Sequence, residues 1–128
     1  MKFEKIIPAF TDDRGTIIDV LAGELIDYVT VINTVAGAVR GNHYHEETFQ
    51  WIYMLSGRMR VRTQIRGETP KDTILDQGDL ILNEPLEGHA FQALKNSSFL
   101  VLTRGPRGGN DFEQDTYRLE VSLIDPKL

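Results

Sequence analysis

Short apolar stretches recur along the chain, separated by turn-forming residues about every eight to twelve positions, and this spacing predicts strands rather than helices. The turns include Asp12-Asp13-Arg14-Gly15, Val35-Ala36-Gly37, Ser56-Gly57, Arg66-Gly67-Glu68, Gln77-Gly78-Asp79 and Lys95-Asn96-Ser97. Between them lie Thr16–Val20, Tyr28–Thr34, Phe49–Leu55, Met59–Ile65, Asp79–Leu82, Phe99–Thr103 and Tyr117–Leu123, rich in Val, Ile, Thr and aromatics. Only Ala22–Ile26 reads as a helical turn. Even spacing of short strands predicts an all-β sandwich or barrel. From Arg58 to Arg66 charged or polar residues alternate with mostly apolar ones, the pattern of a strand with one face in water. In Phe49–Leu55 the odd positions hold Phe49, Trp51, Tyr53 and Leu55 and the even positions Gln50, Ile52 and Met54, so both faces call for cover. One face is expected to line a barrel interior. The other is expected to pack on a second sheet or a second subunit, and it is read here as a hint of a homodimer.

Composition narrows the picture. With 128 residues the chain suits one domain, 1–128, long enough to bury roughly two-thirds of its unfolded surface without staples. A hydrophobic share of 41% beside 26% charged residues is ordinary for a globular protein. The formal net charge of −5 argues against a nucleic-acid groove. No apolar run approaches the ~20 residues of a membrane span, and the start MKFEKIIPAF lacks a secretory pattern, so a soluble, cytoplasmic protein is expected. There are no cysteines, which removes disulfides, thiolate metal sites and a Cys nucleophile. Any metal must then be held by nitrogen and oxygen, and only three histidines supply nitrogen.

Those histidines fall in two short segments. His43 and His45 are two apart, so on a strand they share a face with Cα atoms ~6–7 Å apart, close enough for two imidazoles to converge. Gln50, in the next strand, can bring an oxygen to the same point, and His89 opens another short strand, His89-Ala90-Phe91. His43, His45, His89 and Gln50 form a candidate N3O set suited to Zn, Ni, Mn or Fe rather than Ca or Mg. The residues leave open both a divalent transition metal and a metal-free site.

Gly37-x5-His43-x-His45-x4-Gln50-x6-Gly57 resembles the first signature of the cupins, with Gln where that superfamily usually has Glu. Gly78, Pro85, Gly88 and His89 match the second signature more loosely. The resemblance implies a jelly-roll barrel, a double-stranded β-helix. Phe10-x-Asp12-x-Arg14-Gly15, Arg40-Gly41-Asn42-His43-Tyr44-His45 and Asp115-Thr116-Tyr117 look like the sugar-nucleotide cupins in particular. These are the dTDP-4-dehydrorhamnose 3,5-epimerases, the WxcM-like dTDP-sugar 3,4-ketoisomerases and the cupin domain of capsule UDP-sugar epimerases. By that resemblance His43 is the base, His45 belongs to the site, Arg14 and Arg40 contact the nucleotide diphosphate, and the HYH pattern matches a metal-bearing relative. The implied activity is isomerisation or epimerisation of a nucleotide-linked 4-keto-6-deoxy sugar in surface polysaccharide biosynthesis. A binding cupin without turnover and a metal-dependent oxygenase or isomerase of another small molecule stay open as alternatives.

Other features read as structural. The arginines at 58, 60, 62 and 66 suit a solvated strand face, and Glu46 and Glu47 a turn after His45, with Glu47 a reserve ligand should Gln50 point away. Asp111, Glu113 and Asp115 suit an exposed loop rather than a Ca²⁺ site. Gly105, Pro106, Gly108 and Gly109 suit a loop at the barrel mouth, and Trp51 packing. Tyr44 and Tyr53 are candidate acids, but parity turns Tyr44 away from His43.

Overall fold

An alternating strand must set its apolar face against another apolar surface, and in the computed structural model two five-stranded antiparallel sheets do this for each other. Residues 1–106, 110 and 113–126 are described; Arg107, Gly108, Gly109 and Asp111, which the sequence assigned to loops, lie outside them. One sheet runs in the order β1 (Lys2–Lys5), β9 (Asp79–Asn83), β6 (Phe49–Ser56), β11 (Ser97–Arg104) and β4 (Tyr28–Thr34). The facing sheet runs β12 (Tyr117–Arg118), β5 (Val39–Tyr44), β10 (Glu87–Ala93), β7 (Arg58–Ile65) and β8 (Lys71–Asp76). A separate hairpin pairs β2 (Phe10–Asp12) with β3 (Gly15–Ile17). This is the jelly-roll architecture expected of the chain.

Inward side chains of both sheets form the core. Met54, Met59, Val61, Leu75 and Ile81 are at most 1% exposed and pack with Ile52, Phe91, Phe99 and Val101. The outward face of β6 is covered too, but by the chain itself. Trp51, Tyr53 and Leu80 pack against Ile6, Val20, Leu21 and Ile26 from the N-terminal segment. The apolar outer face of β6 therefore gives no indication of a second subunit, because the first twenty-odd residues already fill it.

The arginine row of β7 meets acids of β8 across the pair: Arg60 lies 3.1 Å and Arg62 3.6 Å from Asp72, and Arg58 3.3 Å from Asp76. These half-exposed pairs bear out the solvated face. Two strand expectations need correction. Tyr117–Leu123 is strand only over Tyr117–Arg118, because the chain then turns under Asn42, whose side chain takes the places of ladder partners. Residues 22–26 form no helix; Leu21 and Ile26 pack onto the outer cluster from irregular backbone.

Candidate functional site

The site begins as an irregularity in β5. This strand pairs with β10 so that His89 faces His43 while Ala90 faces Gly41, leaving Asn42 as an extra residue. Such a bulge re-aims neighbouring side chains. Gly41 and Asn42 both have positive φ, 90° and 58°. A Cβ at Gly41 would stand 2.8 Å from the His89 carbonyl oxygen, so the bulge requires glycine here. The Asn42 side chain is taken up by the C-terminal segment: its Oδ1 accepts from the amides of Leu123 (2.8 Å) and Ile124 (3.1 Å), and its Nδ2 donates to the Ile124 carbonyl (2.9 Å). His43 then points inward.

The three imidazoles meet. Ring centroids are 4.9 Å apart for His43 and His45, 4.8 Å for His43 and His89, and 5.1 Å for His45 and His89. One nitrogen of each lies within 4.8 Å of the others, and all three residues are buried. Gln50 joins from the facing sheet, with Oε1 3.2 Å from His45 Nε2. His45 Nδ1 faces the Asp115 carbonyl oxygen at 2.9 Å. A carbonyl only accepts, so Nδ1 carries a proton. At Nε2, a second proton or a bound cation stands between the ring and the Gln50 oxygen; alternatively the amide turns its NH₂ to the ring. Three imidazoles and one amide oxygen thus converge as a donor set that suits a divalent transition metal. Glu47 is exposed and Gln50 points inward, so Glu47 is not needed as a ligand.

In front of the cluster opens a cavity of about 690 Å³, within the range of small-molecule sites. His43, His89 and Gln50 line it, whereas His45 sits behind them. Its walls are mixed: Ile32, Ile52, Phe91, Phe99 and Val101 on the apolar side, Thr30 and Thr103 on the polar. Arg40 lines it as well, held by bonds from Nε to Thr34 Oγ1 (2.8 Å) and from a terminal nitrogen to the Asn33 carbonyl (3.0 Å). The second arginine on the cavity is not Arg14. That side chain, on the β2–β3 turn, is 82% exposed, bonds Asp12 at 2.6 Å and does not line the cavity. The second arginine is Arg118, which sequence reading missed although it follows the motif Asp115-Thr116-Tyr117 directly. Tyr44 stacks on Tyr117 at 5.3 Å, outside the cavity, and Tyr53 lies in the outer cluster, so neither tyrosine faces the histidines.

Asp115 departs from expectation most. The sequence places it in an exposed acidic loop, but its carboxylate accepts from the amides of Glu46, Glu47 and Thr48 and from the Thr48 hydroxyl at 2.7–3.0 Å. Partial burial pushes its pKa up, yet these bonds, that from the Thr48 hydroxyl foremost, outweigh burial and hold it below 3.8.

The Cupin_2 family, the cupin domain, matches residues 30–103, more than half of the chain. The chain belongs to the cupins. No curated protein matches it. Among solved structures, this cupin is similar to the TDP-quinovose 3,4-ketoisomerase WlaRB from Campylobacter jejuni, with TM-score 0.78 and 18% identity over 91% of each chain. It is similar to QdtA, a sugar 3,4-ketoisomerase from Thermoanaerobacterium thermosaccharolyticum in complex with TDP, with TM-score 0.76 and 22% identity over 93% of this chain and 88% of that one. A dTDP-4-dehydrorhamnose 3,5-epimerase from Sulfolobus tokodaii matches with TM-score 0.68 and 18% identity over 86% of this chain and 79% of that one. At these identities the likeness is one of fold. No helix among the described residues is long and apolar enough to cross a membrane.

Proposed function

We propose that this cupin is an isomerase or epimerase of a nucleotide-linked 4-keto-6-deoxy sugar. The observation that carries the reading is the placement of His43 and His89 on the wall of a cavity of about 690 Å³ that Arg40 and Arg118 also line. Structural neighbours that are 3,4-ketoisomerases and a 3,5-epimerase, one of them in complex with TDP, support it.

The chemistry asks for little more. A ketone acidifies the C–H beside it, and a cavity-facing imidazole is suited to take that proton near neutral pH. His43 is the base in this reading. For 3,4-isomerisation the proton leaves C3 while the C4 oxygen gains one, giving an enediol. Protonation at C4 with loss of the O3 proton then yields the 3-ketone. For epimerisation the proton returns to the same carbon on its other face. Gln50 and His89 offer polar groups to the developing oxyanion, and His45 supports the cluster from behind. Arg40 and Arg118 are the diphosphate contacts, the planar guanidinium being suited to phosphate oxygens. The apolar wall suits the 6-methyl group and the base. Arg14, bonded to Asp12, has no part in this chain's own cavity.

His43, His45, His89 and Gln50 are the residues that would hold a divalent transition metal, Zn, Ni, Mn or Fe. Such an ion supplies a Lewis acid for the ketone oxygen. The reading includes a cytoplasmic setting in surface polysaccharide biosynthesis, a single domain and a homodimer. The surface offered for that dimer is the edge strand β4, where Val29 and Val31 are 64% and 57% exposed.

The deciding experiment is incubation with dTDP-4-keto-6-deoxyglucose in D₂O, followed by NMR. Deuterium at the carbon beside the ketone, with a 3-keto or epimerised product, is the expected result. Tight binding without any exchange would instead make the protein a binding cupin.

A further inference from the structure

Asp115 is not a cavity residue, yet among the described residues five hydrogen bonds end on it, and all five come from the four consecutive residues 45–48. Its carboxylate takes four of them, from the amides of Glu46, Glu47 and Thr48 and the Thr48 hydroxyl, which fixes the turn between β5 and β6. Its carbonyl takes the fifth, from His45 Nδ1 at 2.9 Å. The backbone is left-handed at φ 51°, a conformation Asp tolerates better than most residues. That conformation lets side chain and carbonyl of one residue both face the same turn.

A neutral imidazole exchanges readily between its two tautomers unless one nitrogen is committed. The Nδ1–H form donates to Asp115, whereas the Nε2–H form would set the Nδ1 lone pair against a carbonyl oxygen. We propose that Asp115 is a positioning residue for His45. By locking the turn and its own carbonyl in one frame, it holds the ring in the Nδ1–H tautomer, with Nε2 turned to the other two histidines and to Gln50, whose amide presents its NH₂ to the ring when no cation is bound. Asp115 touches no reacting atom in this role; it acts through His45. The carboxylate works by keeping the carbonyl where it is, so loss of the carboxylate alone releases the ring.

Long-range ¹H–¹⁵N NMR of labelled protein, dialysed against EDTA and held about two pH units above the ordinary imidazole pKa, tests this. In the wild type the two His45 nitrogens are expected far apart in shift, Nδ1 protonated and Nε2 not. In Asp115→Gly, which accepts the same φ and retains the carbonyl but lacks the carboxylate, the two shifts converge toward an average while those of His43 and His89 stay put. A folded Asp115→Gly protein with unchanged His45 shifts overturns the proposal. If that variant does not fold, Asp115→Asn, of the same shape but with one acceptor replaced by a donor, carries the same readout with the same two outcomes. The spectrum needs no substrate, so its outcome is separate from whether the protein turns over a nucleotide sugar.

Discussion

The two ends of the barrel interior are built from the same strands and have opposite chemistry. On β6 the inward positions run Gln50, Ile52, Met54, and on β10 they run His89, Phe91, Ala93, polar at one end and apolar at the other. At the apolar end Met54, Met59, Leu75 and Ile81 interdigitate without exposure. At the polar end the sheets leave space, and three imidazoles and an amide front it. Distance along a strand, rather than choice of strand, decides whether an inward residue packs or reacts. The barrel can therefore draw its stability from one end and leave the other to carry groups that a tightly packed core would not accommodate.

If the two ends are separable, substitutions at each should fall on different observables. The largest effect is expected from His43→Asn, which removes the proposed base and should lower turnover of the keto sugar nucleotide by roughly 10²–10⁴-fold. Its melting temperature should stay close to that of the wild type. Leu75→Ala, at the apolar end, should do the reverse. It removes a fully buried side chain, should cost about 2–5 kcal/mol in chemical denaturation, and should leave turnover per folded molecule nearly unchanged below the unfolding transition. A large loss of turnover with Leu75→Ala would mean that the two ends are mechanically one.

Arg118→Ala sharpens the picture within the polar end. Removing one charge-assisted contact should raise the KM for the sugar nucleotide about tenfold, equivalent to ~1.4 kcal/mol, with a smaller change in kcat. The smallest effect concerns acid. Asp115 has its folded pKa below the ordinary 3.8, so its contribution to stability is present above that value and is lost as pH falls through the lower folded one. Asp115→Asn should therefore flatten the loss of stability below about pH 4, by less than ~1 kcal/mol because the carboxylate is only partly buried. Urea midpoints measured between about pH 3 and pH 6 check this.

Much of this was legible from the residues. Tyr28–Thr34 is a strand at the bounds expected, and Phe49–Leu55 and Met59–Ile65 differ from β6 and β7 by one residue each, because apolar alternation marks strands that face a core. Lys2–Lys5 and Lys71–Asp76 went unseen because edge strands rich in charge carry almost no inward pattern. The meeting of His43, His45, His89 and Gln50 followed from parity and from the scarcity of histidine. Arg118 and Asp115 did not, because their roles depend on where the chain returns after a long irregular stretch, and no periodicity encodes that return. Arg14 shows what a motif match leaves open: it marks the residue, but in this chain the guanidinium bonds the neighbouring Asp12 and lies off the chain's own cavity.

Asn42 joins two things usually set independently. It occupies the extra position of the bulge that directs His43 inward, and its carboxamide anchors the segment that contributes Leu119, Ser122 and Pro126 to the lining of the cavity. The wall a ligand meets and the aim of the group waiting for it therefore share one hinge pin. A substitution at Asn42 that frees this tail should also disturb the aim of the histidine, which couples the shape of the cavity to catalytic alignment.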